Sequence, residues 1–387
     1  MRKRTCLAAA GSMLAATIGL FGAAVPAGAS TAAASTASPV VGYTYVDGNT
    51  VTANTIDALA RHADGSVTPL AGAPFAAGGA GTGAGLASQG AIQATRDGRF
   101  LLAVDAGSNQ ISVLRVTPGG VPVPVGRPVP SGGNQPVSIA VSPLGLVYVA
   151  NSGAGGSNYA GFRLSPGGTL TPIPGSTFAV PAGSGLGDVF FNALGNHLIG
   201  TRTGTSLIDS FVVLPGGRLL AAHGSPFTGQ GLGQLGAEFS PARPGQLFVS
   251  NAHNGAGLGT VSAYRDGVLG QLTPVGASPY PDGQTAPCWV EISHDGRYLF
   301  TVNTGSANIS SYAINANGSL TLIGSTPIRG GGADIDARLS PDGRTLSVDG
   351  SGAHILSVFA VSGGHLTEVP SSPTPLPGVA PSGVVTI

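Results

Sequence analysis

The sequence predicts an all-β chain: a seven-bladed β-propeller of four-stranded antiparallel blades, its ring closed by the C-terminal strand joining the N-terminal blade. Three observations lead there. No window carries a sustained helical stripe of apolar residues, whereas short alternating runs fill the chain. Paired turn signals recur with the period of one blade. The chain also ends on "APSGVVTI", Ala380 to Ile387, a β-branched run with no turn after it and no returning partner. Periodicity carries the folded reading, because 64 Gly and 30 Pro approach the level, about a quarter of a chain, at which disorder becomes the default.

Residues 1–29 read as a signal peptide. Arg2, Lys3 and Arg4 form a basic start, an apolar stretch follows to Val25, and Ala27-Gly28-Ala29 offers small residues for cleavage. Ala, Gly and Ser dilute the apolar stretch and no stop-transfer pattern follows, so no transmembrane anchor is expected and the product should be secreted. A flexible Ser/Ala linker is expected over 30–38, and the propeller over 39–387. Its first blade takes three outer strands from "VVGYTYVDG", "NTIDALARHADG" and "SVTPLAG", and lacks an innermost one.

The first turn signal is a DG-like pair. It falls at Asp97-Gly98, Leu144-Gly145, Leu194-Gly195, Pro244-Gly245, Asp295-Gly296 and Asp342-Gly343, with glycines 47, 50, 50, 51 and 47 residues apart. The second is a GG, DG or NG pair, from Asp64-Gly65 through Gly119-Gly120, Gly167-Gly168, Gly216-Gly217, Asp266-Gly267 and Asn317-Gly318 to Gly363-Gly364. Both suit tight hairpins. Between them, Val290–Ser293, Tyr298–Val302, Asn308–Ile314 and Ser319–Ile323 read as one blade. Seven second signals stand against six first ones, and the missing one belongs to the blade that APSGVVTI completes. Closure of that kind pairs the weakest edge.

Charge excludes several functions. Without the first 29 residues, 14 arginines face 17 acids and no lysine is left, since Lys3 is the only one. No nucleic-acid partner is expected without a basic stripe, and neither a Walker A loop nor a Ser-Lys dyad can be built. Cys288 is then the sole cysteine, so there is no internal disulfide. Gly231 to Gly236 fits GxGxxG but leads into a strand, not a helix. "GGAGTGAG", Gly78 to Gly85, reads as a flexible interblade loop. The seven histidines read mostly as turn or surface residues, with no two at metal spacing on one strand.

The segments "SPDGRTLSVDGSGAHILSVFAV", "RDGRFLLAVDAGSNQISVLRV" and "SHDGRYLFTVNTGSANISSYAI" resemble the repeats of the seven-bladed lactonase family, which includes bacterial 6-phosphogluconolactonase-like proteins. The resemblance covers nearly the whole mature chain and implies hydrolysis of a lactone. Asp336 matches the family's inner-strand carboxylate, and Arg338 stands where a histidine is usual. Pro287-Cys288-Trp289 replaces a Pro-Arg-His run, and Gly90-Ala91-Ile92 a His-Pro-His run.

Inner strands line a propeller's channel. Aligned on the first turn signal, their even offsets are apolar and should pack between blades, as with Ile139, Val189, Ala237, Val290 and Ala337. The odd offsets carry Gln93, Ser138, Asp188, Glu238, Trp289, Glu291, Asp336 and Arg338 on the opposite face. Glu238 and Glu291 are two of only three glutamates. Asp336, Glu291, Asp188 and Arg338 are the catalytic candidates, the acids for acid-base work and the arginine as an anion clamp. Glu238, Trp289, Gln93 and Ser138 are the ligand-binding candidates. If a divalent cation is bound in the channel, Asp188, Glu238, Glu291 and Asp336 are the ligands available. Cys288 beside Trp289 reads as an inert thiol packed between blades under a covering indole. The expected function is that of a secreted, monomeric lactonase-like hydrolase acting on a lactone or related cyclic ester at the channel mouth. The alternative is a non-catalytic secreted propeller that binds a small ligand, a wall component or a protein.

Overall fold

Thirty-four strands and no helix make up the described residues, 38–387, of the computed structural model, and they pair into seven separate antiparallel sheets. The expected signal peptide, and the linker up to residue 37, lie outside the described residues. The linker's last residue, Ser38, is held: its carbonyl lies 2.7 Å from His62 Nδ1, and its hydroxyl accepts the Asp64 amide at 3.1 Å.

Blade six shows the common plan, with Pro287–Ile292 on the axis followed outward by Tyr298–Asn303, Asn308–Ile314 and Leu320–Pro327. The outer strand runs four residues past its expected end because no proline interrupts it before Pro327. In the other six blades an additional short strand, such as Phe75–Ala76, pairs separately with the third strand. The turn glycines take the left-handed conformations expected of them except in blade five, where the turn lies three residues beyond the expected Asp266-Gly267 and Gly270, at φ +79°, takes that place. Gly120, at φ +79°, also lies against the Tyr43 ring, leaving no room for a Cβ.

The ring closes as the two termini require. Val384–Thr386 pairs antiparallel with Val40–Asp47, placing Thr44, Tyr45 and Val46 opposite Thr386, Val385 and Val384. Tyr43 and Ile387 exchange both backbone hydrogen bonds, at 3.0 and 2.9 Å. Val384 and Val385 are buried, as are Ile139, Val189, Ala237, Val290 and Ala337 between blades. Burying each of the valines and Ile139 contributes about 2 kcal/mol, and each alanine less.

Polar pairs join blades further out. Asp209 in blade four takes the Arg202 guanidinium and, at 2.9 Å, the hydroxyl of Tyr159 from blade three. His197 corrects the expectation of surface histidines: it is buried, with Nδ1 2.6 Å from Asp266 Oδ2 and Nε2 3.1 Å from the Val268 carbonyl.

Candidate functional site

The inner strands do more than expose alternate residues to the channel. In five blades the register slips near the strand start, between Pro136 and Ser138, Leu186 and Asp188, Gln234 and Ala237, Pro287 and Trp289, and Asp334 and Asp336. Such bulges re-aim the side chains that follow. Two tiers result. Ser138, Asp188, Trp289 and Asp336 sit opposite Ala150, Thr201, Val302 and Asp349 of the second strands. Two residues on, Gln93, Phe190, Glu291 and Arg338 sit opposite Leu102, Ile199, Phe300 and Ser347.

Glu238 sits opposite Phe248 and shares the second tier with Glu291 and Arg338. Counting back from Gly245 puts it one tier too high, because the turn Ser240-Pro241-Ala242-Arg243-Pro244-Gly245 is two residues longer than Ser142-Pro143-Leu144-Gly145. Gly236 takes the upper place in that blade.

These side chains stitch each blade to the next. The Ser138 hydroxyl accepts the Val189 amide at 3.1 Å and donates to Asp188 at 3.0 Å. Asp188 accepts the Ala237 amide at 3.0 Å, Glu238 takes the Ile292 amide, Glu291 accepts Leu339 at 2.9 Å, and Asp336 accepts Val384 at 3.2 Å. An inner strand is a sheet edge with unpaired N–H groups. An acceptor on the preceding blade satisfies one at five consecutive junctions, from blade three round to blade one. The enrichment in inner-strand acids is therefore first a property of the ring.

What the stitches leave over defines the candidate site. Each carboxylate has a second oxygen, and those of Glu238 and Asp336 have no hydrogen-bond partner although buried. Arg338 Nη1 lies 3.3 Å from Glu291 Oε2 without hydrogen-bond alignment, while its Nε and Nη2 have no partner. Its guanidinium lies 5.5 Å from the Trp289 ring centre, and the Trp289 indole bears on Glu291, whose charged form it favours. Burial pushes Asp188 up to about 7 and raises Glu238 and Asp336 well above the usual carboxylate range, Glu238 with added repulsion from Glu291 and Asp336 from Asp349. Burial also raises Glu291, against the attraction of Arg338. Burial works to lower Arg338, but Glu291, Glu238 and Asp336 outweigh it and hold the guanidinium charged.

The face where the inner strands begin is not open above these acids. A strap, residues 86–90, closes that face. The Ser88 hydroxyl donates to Val137 O at 2.8 Å, the Gln89 amide to Gly187 O at 2.9 Å, and the Gln89 side chain makes two 3.3 Å hydrogen bonds with the backbone of Val290 in blade six. Gly236 is glycine because a Cβ there would strike Gln89 Oε1 and the Cys288 carbonyl. In the second tier Gln93, Phe190 and Arg338 are only half-buried, so solvent reaches the channel from the opposite face, where the DG-type turns lie.

The strap also corrects the reading of GGAGTGAG as flexible. Asn49 clamps it, donating to Ala84 O at 2.7 Å and accepting the Thr82 amide at 2.7 Å, while Gly81 and Gly83 bond Thr50 and Asn49 carbonyls. Gln89 and Gly236 were missed in the sequence. One signal was there: fifteen residues separate Phe75–Ala76 from Ile92–Ala94, against five between Val129–Pro130 and Pro136–Val141.

No group of three or more His, Cys, Asp or Glu among the described residues is placed to hold a metal ion. Asp188, Glu238, Glu291 and Asp336 each turn an oxygen to a different backbone amide, which keeps them from converging. Cys288 is buried with Leu235 and Ala252, and burial raises its thiol, so it is an inert packing residue. No helix among the described residues is long and apolar enough to cross a membrane.

Comparison with known proteins agrees with this architecture. The family model for the lactonase, 7-bladed beta-propeller, matches residues 242–381. No curated protein sequence matches the chain. The periplasmic gluconolactonase of Pseudomonas aeruginosa superposes with a TM-score of 0.72 at 19% identity, over 89% of this chain and 99% of that one. A candidate 6-phosphogluconolactonase of Bacteroides uniformis gives 0.72 at 20%, over 89% and 99%, and a Lactobacillus plantarum protein 0.72 at 19%, over 90% and 100%. At such identities the likeness establishes the fold, and function is a separate question. Residues 242–381 thus carry lactonase-type repeats, and the closed seven-sheet ring gives the chain the seven-bladed β-propeller fold of these structures.

Proposed function

We propose that the chain hydrolyses a small lactone bound in the second tier of the channel and reached from the turn face, and that it works outside the cytoplasm, as residues 1–29 imply. One observation carries the reading. Arg338 offers two unpartnered N–H donors in the same tier where Glu238 offers an unpartnered oxygen, close enough for each to shift the other's titration. A donor pair of that kind stabilises the oxyanion that forms when an acyl carbon is attacked. A carboxylate with a raised pKa is suited to act as a base near neutral pH.

In the proposed sequence Glu238 takes a proton from water and the resulting hydroxide adds to the lactone carbonyl. The oxygen so charged rests on Arg338 Nε–H and Nη2–H. Collapse breaks the ring C–O bond, and Glu238 returns its proton to the leaving alkoxide, giving a hydroxy acid. Trp289 and Glu291 hold the guanidinium. Asp188 and Asp336, catalytic candidates in the sequence, serve here as blade stitches that position the tier.

The test is a panel of aldonolactones and acyl-lactones followed by pH-stat. Hydrolysis by the wild type should fall about 100-fold or more in kcat for Glu238→Gln, with Arg338→Lys also impaired because the two-pronged donor is lost. A wild type that binds lactones by calorimetry yet turns none over would reject hydrolysis in favour of the non-catalytic binding propeller.

A further inference from the structure

A second concavity lies away from the channel. It is a groove of about 1210 Å3 on the turn face, between the hairpin turns of blades two and three and the outer strands of blade three. Its volume exceeds the roughly 300–1,000 Å3 typical of small-molecule pockets. Three arginines line it, Arg96, Arg99 and Arg163, against a single acid, Asp97, in a chain with almost no excess charge. Asp97 is engaged with the Thr95 hydroxyl at 2.6 Å and the Arg99 amide at 3.1 Å. Arg99 lies 3.9 Å from Asp97, bonds the Pro166 carbonyl and stacks 5.4 Å from the Phe100 ring centre, so it forms a fixed wall. Arg96 and Arg163 are exposed and make no ion pair or hydrogen bond among the described residues.

We propose that this groove is a docking site for an acidic peptide segment whose aliphatic side chains rest between the free guanidiniums. Charge complementarity supplies the sign of the partner. The walls supply its class. Leu144, 78% exposed, and Ile173 stand among Pro143, Pro166, Pro172 and Pro174. Prolines have no amide donor, and neither tryptophan nor tyrosine lines the groove. A saccharide would want both a dense set of hydrogen-bonding groups and an aromatic platform. An extended peptide carrying carboxylates for Arg96 and Arg163 and a leucine to cover Leu144 needs neither.

The probe is a fluorescein-labelled octapeptide of glutamates interspersed with leucines, titrated into the full chain by anisotropy. Binding should weaken as salt rises and should drop about tenfold or more for the pair R96E/R163E. The same change in charge at exposed sites elsewhere, R127E/R344E, should leave it within about twofold. All four positions are on the surface. Leu144→Ser, which carries no charge, should also weaken binding. The proposal is overturned if the peptide does not bind, if R96E/R163E and R127E/R344E act alike, if a lysine-for-glutamate peptide binds as well, or if polygalacturonate binds more tightly than the peptide.

Discussion

At Asp188 one side chain shows why an acid in a propeller channel is ambiguous. Its two oxygens are committed to Ser138 and to the Ala237 amide, so it is spent on joining blades three, four and five, yet burial still pushes it up to about 7. The linkage to stability has a definite sign. A carboxyl with a folded-state pKa above its unfolded value binds more protons in the native state, so stability is greatest below the unfolded value, near 3.9, and declines until the pH passes the folded value. His197, raised chiefly by its hydrogen bond to Asp266, acts in the same direction: its contribution is complete below about 6.5 and is lost above its raised folded-state value. The unfolding free energy measured by urea titration should therefore fall between pH 5 and pH 8, by an amount on the order of 2 kcal/mol. Asp188→Asn should flatten that fall, and an equal fall in the variant would remove Asp188 as a source.

Among the elements, the strap over residues 86–90 governs which end of the channel is open. Its hold depends on Gly236, whose missing Cβ makes room for Gln89. Gly236→Ala should displace Gln89 from Val290 and raise hydrogen exchange at the Gln89 and Val290 amides, with a stability loss of about 1–3 kcal/mol from overpacking. Unchanged exchange at both amides would show that the strap is held elsewhere. The inner strands teach a related lesson about reading. Alternation was legible because a strand must present one face to the channel, and it selected Gln93, Ser138, Asp188, Glu238, Trp289, Glu291, Asp336 and Arg338 for one face. Depth was not legible at Glu238, where two extra turn residues broke the alignment. Gln89 was invisible to a strand-based reading because it reaches the axis from a loop.

For the molecule as a whole, the seven-sheet ring could be read from turn spacing and from the unmatched tail, since each hairpin leaves a local mark and a missing inner strand leaves an arithmetical one. The interblade stitches could not, because they join residues about fifty positions apart through backbone amides that have no sequence signature. Their last junction depends on the tail: Asp336 accepts Val384, Asp349 accepts the Gly383 amide at 3.0 Å, and the Thr386 hydroxyl donates to Leu339 O at 2.6 Å. Without the tail, the tier holding Arg338 and Glu238 would face an open seam. Thermal unfolding of the chain shortened by Pro381 to Ile387 tests this most directly. Losing the burial of Val384 and Val385 together with their hydrogen bonds should lower Tm by about 10 °C, and a melt superimposable on that of the full chain would contradict the closed ring on which the site depends.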